Sequence, residues 1–164
     1  MTKQRAAPLS SGGVTSTGVT STRVISTGTS PTGSSSTGRE IARCPVPPPH
    51  RAAEARAAAA DFAARLHPAP SARTVQNLLL LSSELVTNAI QHAGAVTALS
   101  FKADSRSLHV RVADPSPAHP QSRVPDMSGR TGGFGWPMVL RLAHRVTIRP
   151  LGREGKIILA VLPR

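Results

Sequence analysis

The chain has 164 residues, room for one domain with or without an extension. It carries 20 Lys and Arg against 8 Asp and Glu, a formal charge of +12. Its few aromatics (Phe62, Phe101, Phe134 and Trp136) argue against a module that stacks several bases. The single cysteine, Cys44, excludes an intramolecular disulfide and a Cys-rich zinc site.

The average composition hides a split. Apolar residues number 12 among the first 50 positions and 52 among the remaining 114. Only the second part can build a core. From Ser10 to Gly38, 23 of 29 residues are Ser, Thr or Gly, with a weak five-residue period such as Ser16-Thr17-Gly18 and Ser26-Thr27-Gly28. That pattern matches no stacked-repeat architecture and predicts a flexible segment. Residues 1–49 are therefore expected to be a disordered tail, and residues 50–164 the folded domain. An early start codon, a phosphorylated arm and a transit peptide are further readings of the tail. Cys44 to Pro49 should close it as a stiff extended stretch.

Arg51 to Leu66 is Ala-rich without Gly or Pro and predicts a helix. His67-Pro68-Ala69-Pro70 stops it. Ser71 is a candidate N-cap for a second helix ending near Ala93, with Gly94 as its stop. Leu78, Leu81, Leu85 and Ile90 give that helix an apolar stripe. Val96–Lys102 and Leu108–Ala113 read as strands, joined by a turn at Asp104-Ser105-Arg106. The second alternates, with Leu108, Val110 and Val112 on one face and His109 and Arg111 on the other. Residues 115–131 hold four prolines and form a long loop of the kind that is usually functional or disordered. Trp136 to His144 reads as a short helix with Pro137 in its first turn. Val146–Arg149 and Ile157–Leu162 close the domain as strands around a turn with Gly152 and Gly155. The order predicts a two-layer α/β sandwich, a mixed or antiparallel sheet with helices on one face.

Three segments can carry chemistry. Glu84, Asn88 and His92 are spaced by four on the second helix, so they form one ridge. A carboxylate beside an amide oxygen suits a hydrated magnesium ion and an attacking hydroxyl, and equally suits a solvated helix face. Asp114 ends a strand and opens the long loop. It could accept from the amino group of adenine and repel the carbonyl oxygen of guanine, or simply form a turn. Gly129-Arg130-Thr131-Gly132-Gly133-Phe134-Gly135 precedes a helix. Such a loop can approach phosphates or merely connect, and it is not a Walker A loop.

Taken together and in this order, the segments resemble the histidine-kinase-like ATPase superfamily, the Bergerat or GHKL fold. The resemblance covers roughly residues 50–164. It points to the anti-sigma-factor branch, the serine kinases of bacterial partner switching, and many short actinobacterial ATP-binding proteins look the same. Ser83 to Ala93 is similar to that branch's N-box. Asp114 to Pro120 resembles its adenine-site segment. Gly132-Gly133-Phe134-Gly135 with Met138 to Ala143 resembles its second glycine box and helix.

The resemblance implies ATP and Mg2+ as cofactors and assigns roles. Asn88 would ligate magnesium, and Glu84 would be the general base. Asp114 would read adenine. Gly129, Gly133 and Gly135 would contact the nucleotide, with residues 115–131 as a lid. His92 would shape the helix end, and Arg130 is a candidate phosphate contact. Three departures stand out. Phe134 and Trp136 occupy positions that are usually small or aliphatic. Pro137 removes a helix N–H. Ile157, after Gly155-Lys156, stands where a Thr often helps to hold adenine.

The implied function is an ATP-binding serine/threonine protein kinase in a partner-switching circuit. Its implied partners are an anti-anti-sigma-type acceptor and a sigma factor, with a homodimer left open. No nucleic-acid or membrane partner is expected, and the expected location is the cytoplasm. The alternatives are a non-catalytic docking module on the same fold and a basic nucleic-acid-binding protein. The folded part carries 15 basic and 7 acidic residues, scattered rather than clustered. Such a surplus favours a polyphosphate or an acidic partner surface.

Overall fold

The structure, a computed structural model, describes residues 23–26, 42–120 and 135–164. In chain order these form β1 (Arg23–Ser26), β2 (Ala42–Val46), α1 (Ala52–Ala64), α2 (Ala72–Ala93), β3 (Ala98–Ala103) and β4 (Ser107–Asp114). There follow α3 (Gly135–Leu142), β5 (Arg145–Pro150), a 3-10 turn at Gly152–Glu154 and β6 (Lys156–Pro163). The strands make one sheet in the order β1-β5-β6-β4-β3-β2. The five from β5 to β2 are antiparallel, and β1 adds in parallel to β5. The helices pack on one side of it, so the expected α/β sandwich is the observed fold.

The second helix forms where its end signals stand. Ser71 has extended backbone, and its Oγ accepts from Thr74 N at 3.1 Å. Such a cap is worth about 1 kcal/mol. Gly94 ends the helix with φ +80°, a conformation that favours glycine. Between them Leu78, Leu81, Leu85 and Val86 are fully buried against the sheet. Each such side chain contributes about 1.5–3 kcal/mol of burial. On β4, Leu108, Val110 and Val112 are buried while His109 and Arg111 are half-buried, as the alternation predicts. α1 joins the same core through Phe62, whose ring stacks on Phe101 of β3 at 5.4 Å between centroids.

Two short segments of the expected tail are strands. Arg23–Ser26 pairs with Arg145–Ile148, and Ala42–Val46 pairs with Ala103–Leu99. Both lie at sheet edges, where a Pro45 without an N–H is tolerated. The remainder of residues 1–41 lies outside the described residues, and so does the expected lid from residue 121 to 134. Among the described residues, no helix is long and apolar enough to cross a membrane.

The β3–β4 turn is held by one carboxylate. Asp104 Oδ1 accepts from Arg106 N at 2.8 Å and Ser107 N at 2.7 Å, and Oδ2 lies 3.0 Å from His109 Nε2. Burial pushes the Asp104 carboxyl up, but the bonds from His109, Arg106 and Ser107 outweigh it and hold the value below the usual range. A lowered value in the fold means stability that is present near neutrality and lost as pH falls through that value. We expect Asp104→Ala to cost about 1–2 kcal/mol at pH 7. The difference from the parent should shrink in acid, as read by urea unfolding at both pH values.

Candidate nucleotide site

The polar ridge of α2 faces the start of α3. A side chain placed on Gly135 would put its Cβ 2.7 Å from Glu84 Oε2 and 3.4 Å from Asn88 Oδ1. The ends of the Glu84 and Asn88 side chains thus occupy the space that a side chain at position 135 would enter. Glu84 is half-buried. Among the described residues, the buried Asn88 Nδ2 has no hydrogen-bond partner. An unpaired buried amide donor costs about 1–3 kcal/mol. His92, the third member of the expected ridge, is exposed in the last turn of α2.

Asp114 stands at the end of β4, nearly fully buried. Its Oδ1 accepts from Ser116 N at 3.0 Å, so the turn reading holds as far as it goes. The same oxygen receives Lys156 Nζ at 2.9 Å. Lys156 also donates to Ser116 O at 3.0 Å and is itself buried. Both hydrogen bonds to the carboxylate among the described residues fall on Oδ1, which leaves Oδ2 open to another donor.

Lys156 and Gly155 are the residues that sequence reasoning passed over. The expectation looked to Ile157 as the position that faces adenine. In the sheet, Asp114 is registered against Lys156 and Ala113 against Ile157. Side chains alternate along a strand, so Ile157 lies on the face opposite the helices and Lys156 shares the face of Asp114. Gly155 makes this approach feasible. It has φ +115°, and a Cβ there would overlap Asp114 O and lie 2.7 Å from Pro115 Cα. The signal available in the sequence was the Gly-Lys pair at the start of the last strand.

Trp136 is buried in the core, which settles its role as packing. Gly129 and Gly133, with Arg130 and Phe134, lie outside the described residues. Glu84, Asn88 and Gly135 form one group and Asp114, Ser116 and Lys156 another. No hydrogen bond joins the two groups among the described residues.

Residues 47–162 match the family model described as histidine kinase-like ATPase domain, well over half of the chain. The chain belongs to that family. Comparison with curated proteins finds no match. A histidine kinase-like ATPase domain is an ATP-binding domain. The residues present suit that ligand: an unpaired buried amide, a carboxylate beside it, a glycine at a helix start, and a buried Asp with one open oxygen. Among the described residues no three His, Cys, Asp or Glu side chains gather as a metal cage. Mg2+ in nucleotide sites takes one or two protein oxygens and the substrate's phosphates, so Asn88 Oδ1 fits that pattern.

Two substitutions test the geometry. Gly135→Ala should leave thermal stability nearly unchanged, since it displaces only the flexible end of Glu84. It should weaken ATP binding measured by calorimetry. Gly155→Ala should instead cost stability. Backbone strain at φ +115° alone costs on the order of 1–3 kcal/mol, and the overlap with Asp114 adds to it. Chemical denaturation should show a large loss of stability for Gly155→Ala.

Proposed function

We propose that the protein is an ATP-binding regulatory protein of the anti-sigma-factor type, a serine/threonine kinase in a bacterial partner-switching circuit. The observation that supports it best is the group of Glu84, Asn88 and Gly135, with an amide that lacks a partner. The anti-sigma-type motifs in the sequence add the branch. ATP would supply the phosphoryl group, with Mg2+ on its phosphates. Asn88 would present Oδ1 to the metal and Nδ2 to a phosphate oxygen. Glu84 would accept the proton of a Ser or Thr hydroxyl of the acceptor at its carboxylate. Asp114 would accept from the base through Oδ2. This is the small set of parts that phosphoryl transfer requires, positioning and charge neutralisation.

The acceptor would be an anti-anti-sigma-type protein, and a sigma factor the sequestered partner, all in the cytoplasm. The second reading is a non-catalytic ATP-binding or docking module. Pro137 favours it, because it takes one N–H from the first turn of α3.

Addition of Mg·ATP should raise the melting temperature. At a hundredfold excess over Kd the gain is about 2.7 kcal/mol. Asn88→Ala should remove most of the shift. Glu84→Ala should keep it while lowering transfer of labelled phosphate to a co-purified acceptor by about 10²–10⁴-fold. No shift at millimolar ATP would defeat the proposal. A shift without any transfer would favour the docking module.

A further inference from the structure

A lone buried carboxylate at the base end of the site would accept from the amino group of adenine and repel the carbonyl of a 6-oxo purine. The carboxylate here is not alone. Lys156 Nζ sits 2.9 Å from Asp114 Oδ1, with side-chain exposures of 6% and 2%. The pair cancels the charge that would reject a carbonyl oxygen. An ammonium has three N–H donors, and Asp114 Oδ1 and Ser116 O take two of them. Among the described residues, one donor remains on Lys156 and one acceptor on Asp114 Oδ2. The edge of adenine offers an amino donor and the N1 acceptor. The edge of hypoxanthine or guanine offers the O6 acceptor and the N1–H donor. A neutral pair with one donor and one acceptor can satisfy either edge by exchanging which group meets which.

We propose that Lys156 is a specificity-determining residue of the nucleotide site, which lets the protein accept 6-oxo purine triphosphates alongside ATP. This rests on the proposed reading of the chain as a nucleotide-binding protein. It changes the expectation that Asp114 excludes guanine, because that expectation treated the carboxylate as unpaired. Lys156 comes to this position through register and not through the loop. β6 begins at Lys156, and the partner of Lys156 across the ladder is Asp114 itself.

The test is calorimetric titration of the full chain, with Mg2+, by ATP, ITP, GTP and the triphosphate of unsubstituted purine riboside. Changing the ligand leaves the protein intact, so the result does not depend on a variant folding. ITP and GTP should bind within about tenfold of ATP, and the unsubstituted purine should bind more weakly than all three. Lys156→Thr should then widen the ATP-to-ITP ratio at least tenfold, through loss of ITP binding. Rejection of ITP by a hundredfold or more in the parent protein would overturn the role of Lys156 and leave ATP binding standing. Equal binding of the unsubstituted purine would also overturn it, since the pair would then read nothing. If no triphosphate binds at millimolar concentration, both this inference and the nucleotide-binding reading fail.

Discussion

β4 and β6 lie side by side in the middle of the sheet, and their register sets where Asp114 and Lys156 meet. The antiparallel ladder runs from Ser107 opposite Pro163 to Asp114 opposite Lys156. A slip of one residue would turn Leu108, Val110 and Val112 away from the helices and place polar side chains in the core. The apolar alternation therefore enforces the register, and the register delivers Lys156 to Asp114. Gly155 permits the last step, since any other residue would collide with the Asp114 backbone. Packing of the core and composition of the site are one constraint seen at two ends of the same strands.

α2 carries the second half of the site by a similar logic. Its buried face holds Leu78, Leu81, Leu85 and Ala89, which fix the helix against the sheet. With that face pinned, the rotation of the helix is fixed, and Glu84 and Asn88 must emerge toward α3. α3 is anchored in turn by Trp136 and Val139, both buried. Its first residue, Gly135, is then held close beside the ends of the Glu84 and Asn88 side chains. The polar site is thus an outcome of apolar contacts on the reverse side of the same helices.

The element pattern was legible because its signals are local. Ser71 and Gly94 mark both ends of α2, and the β4 alternation marks its buried face. Each local signal agrees with the fold, as foldable sequences require. The ridge of Glu84 and Asn88 was legible because helical spacing alone puts them together. What stayed hidden depends on contacts between distant segments. Nothing near Lys156 announces a partner 42 residues earlier, and the expected position, Ile157, stands one residue further along the strand, opposite Ala113. The strands at Arg23–Ser26 and Ala42–Val46 were hidden for the same reason. Segments of four or five residues are too short to announce a strand, and pairing with a sheet edge decides their conformation.

Charge takes on a more local meaning in this structure. The formal +12 describes the chain as a whole and says little about the site. At the end of β4 the Asp114 carboxylate meets the Lys156 ammonium, both withdrawn from water, so the local sum is zero. At the ridge, Glu84 is an acid with no basic side chain bonded to it among the described residues. Phosphates brought beside it would be repelled unless cations came with them, which is a physical reason for a nucleotide to arrive as its magnesium complex. The two ends of the site thus treat charge in opposite ways. The Asp114–Lys156 pair is neutralised in advance, while the ridge keeps an acid with no basic side chain bonded to it among the described residues.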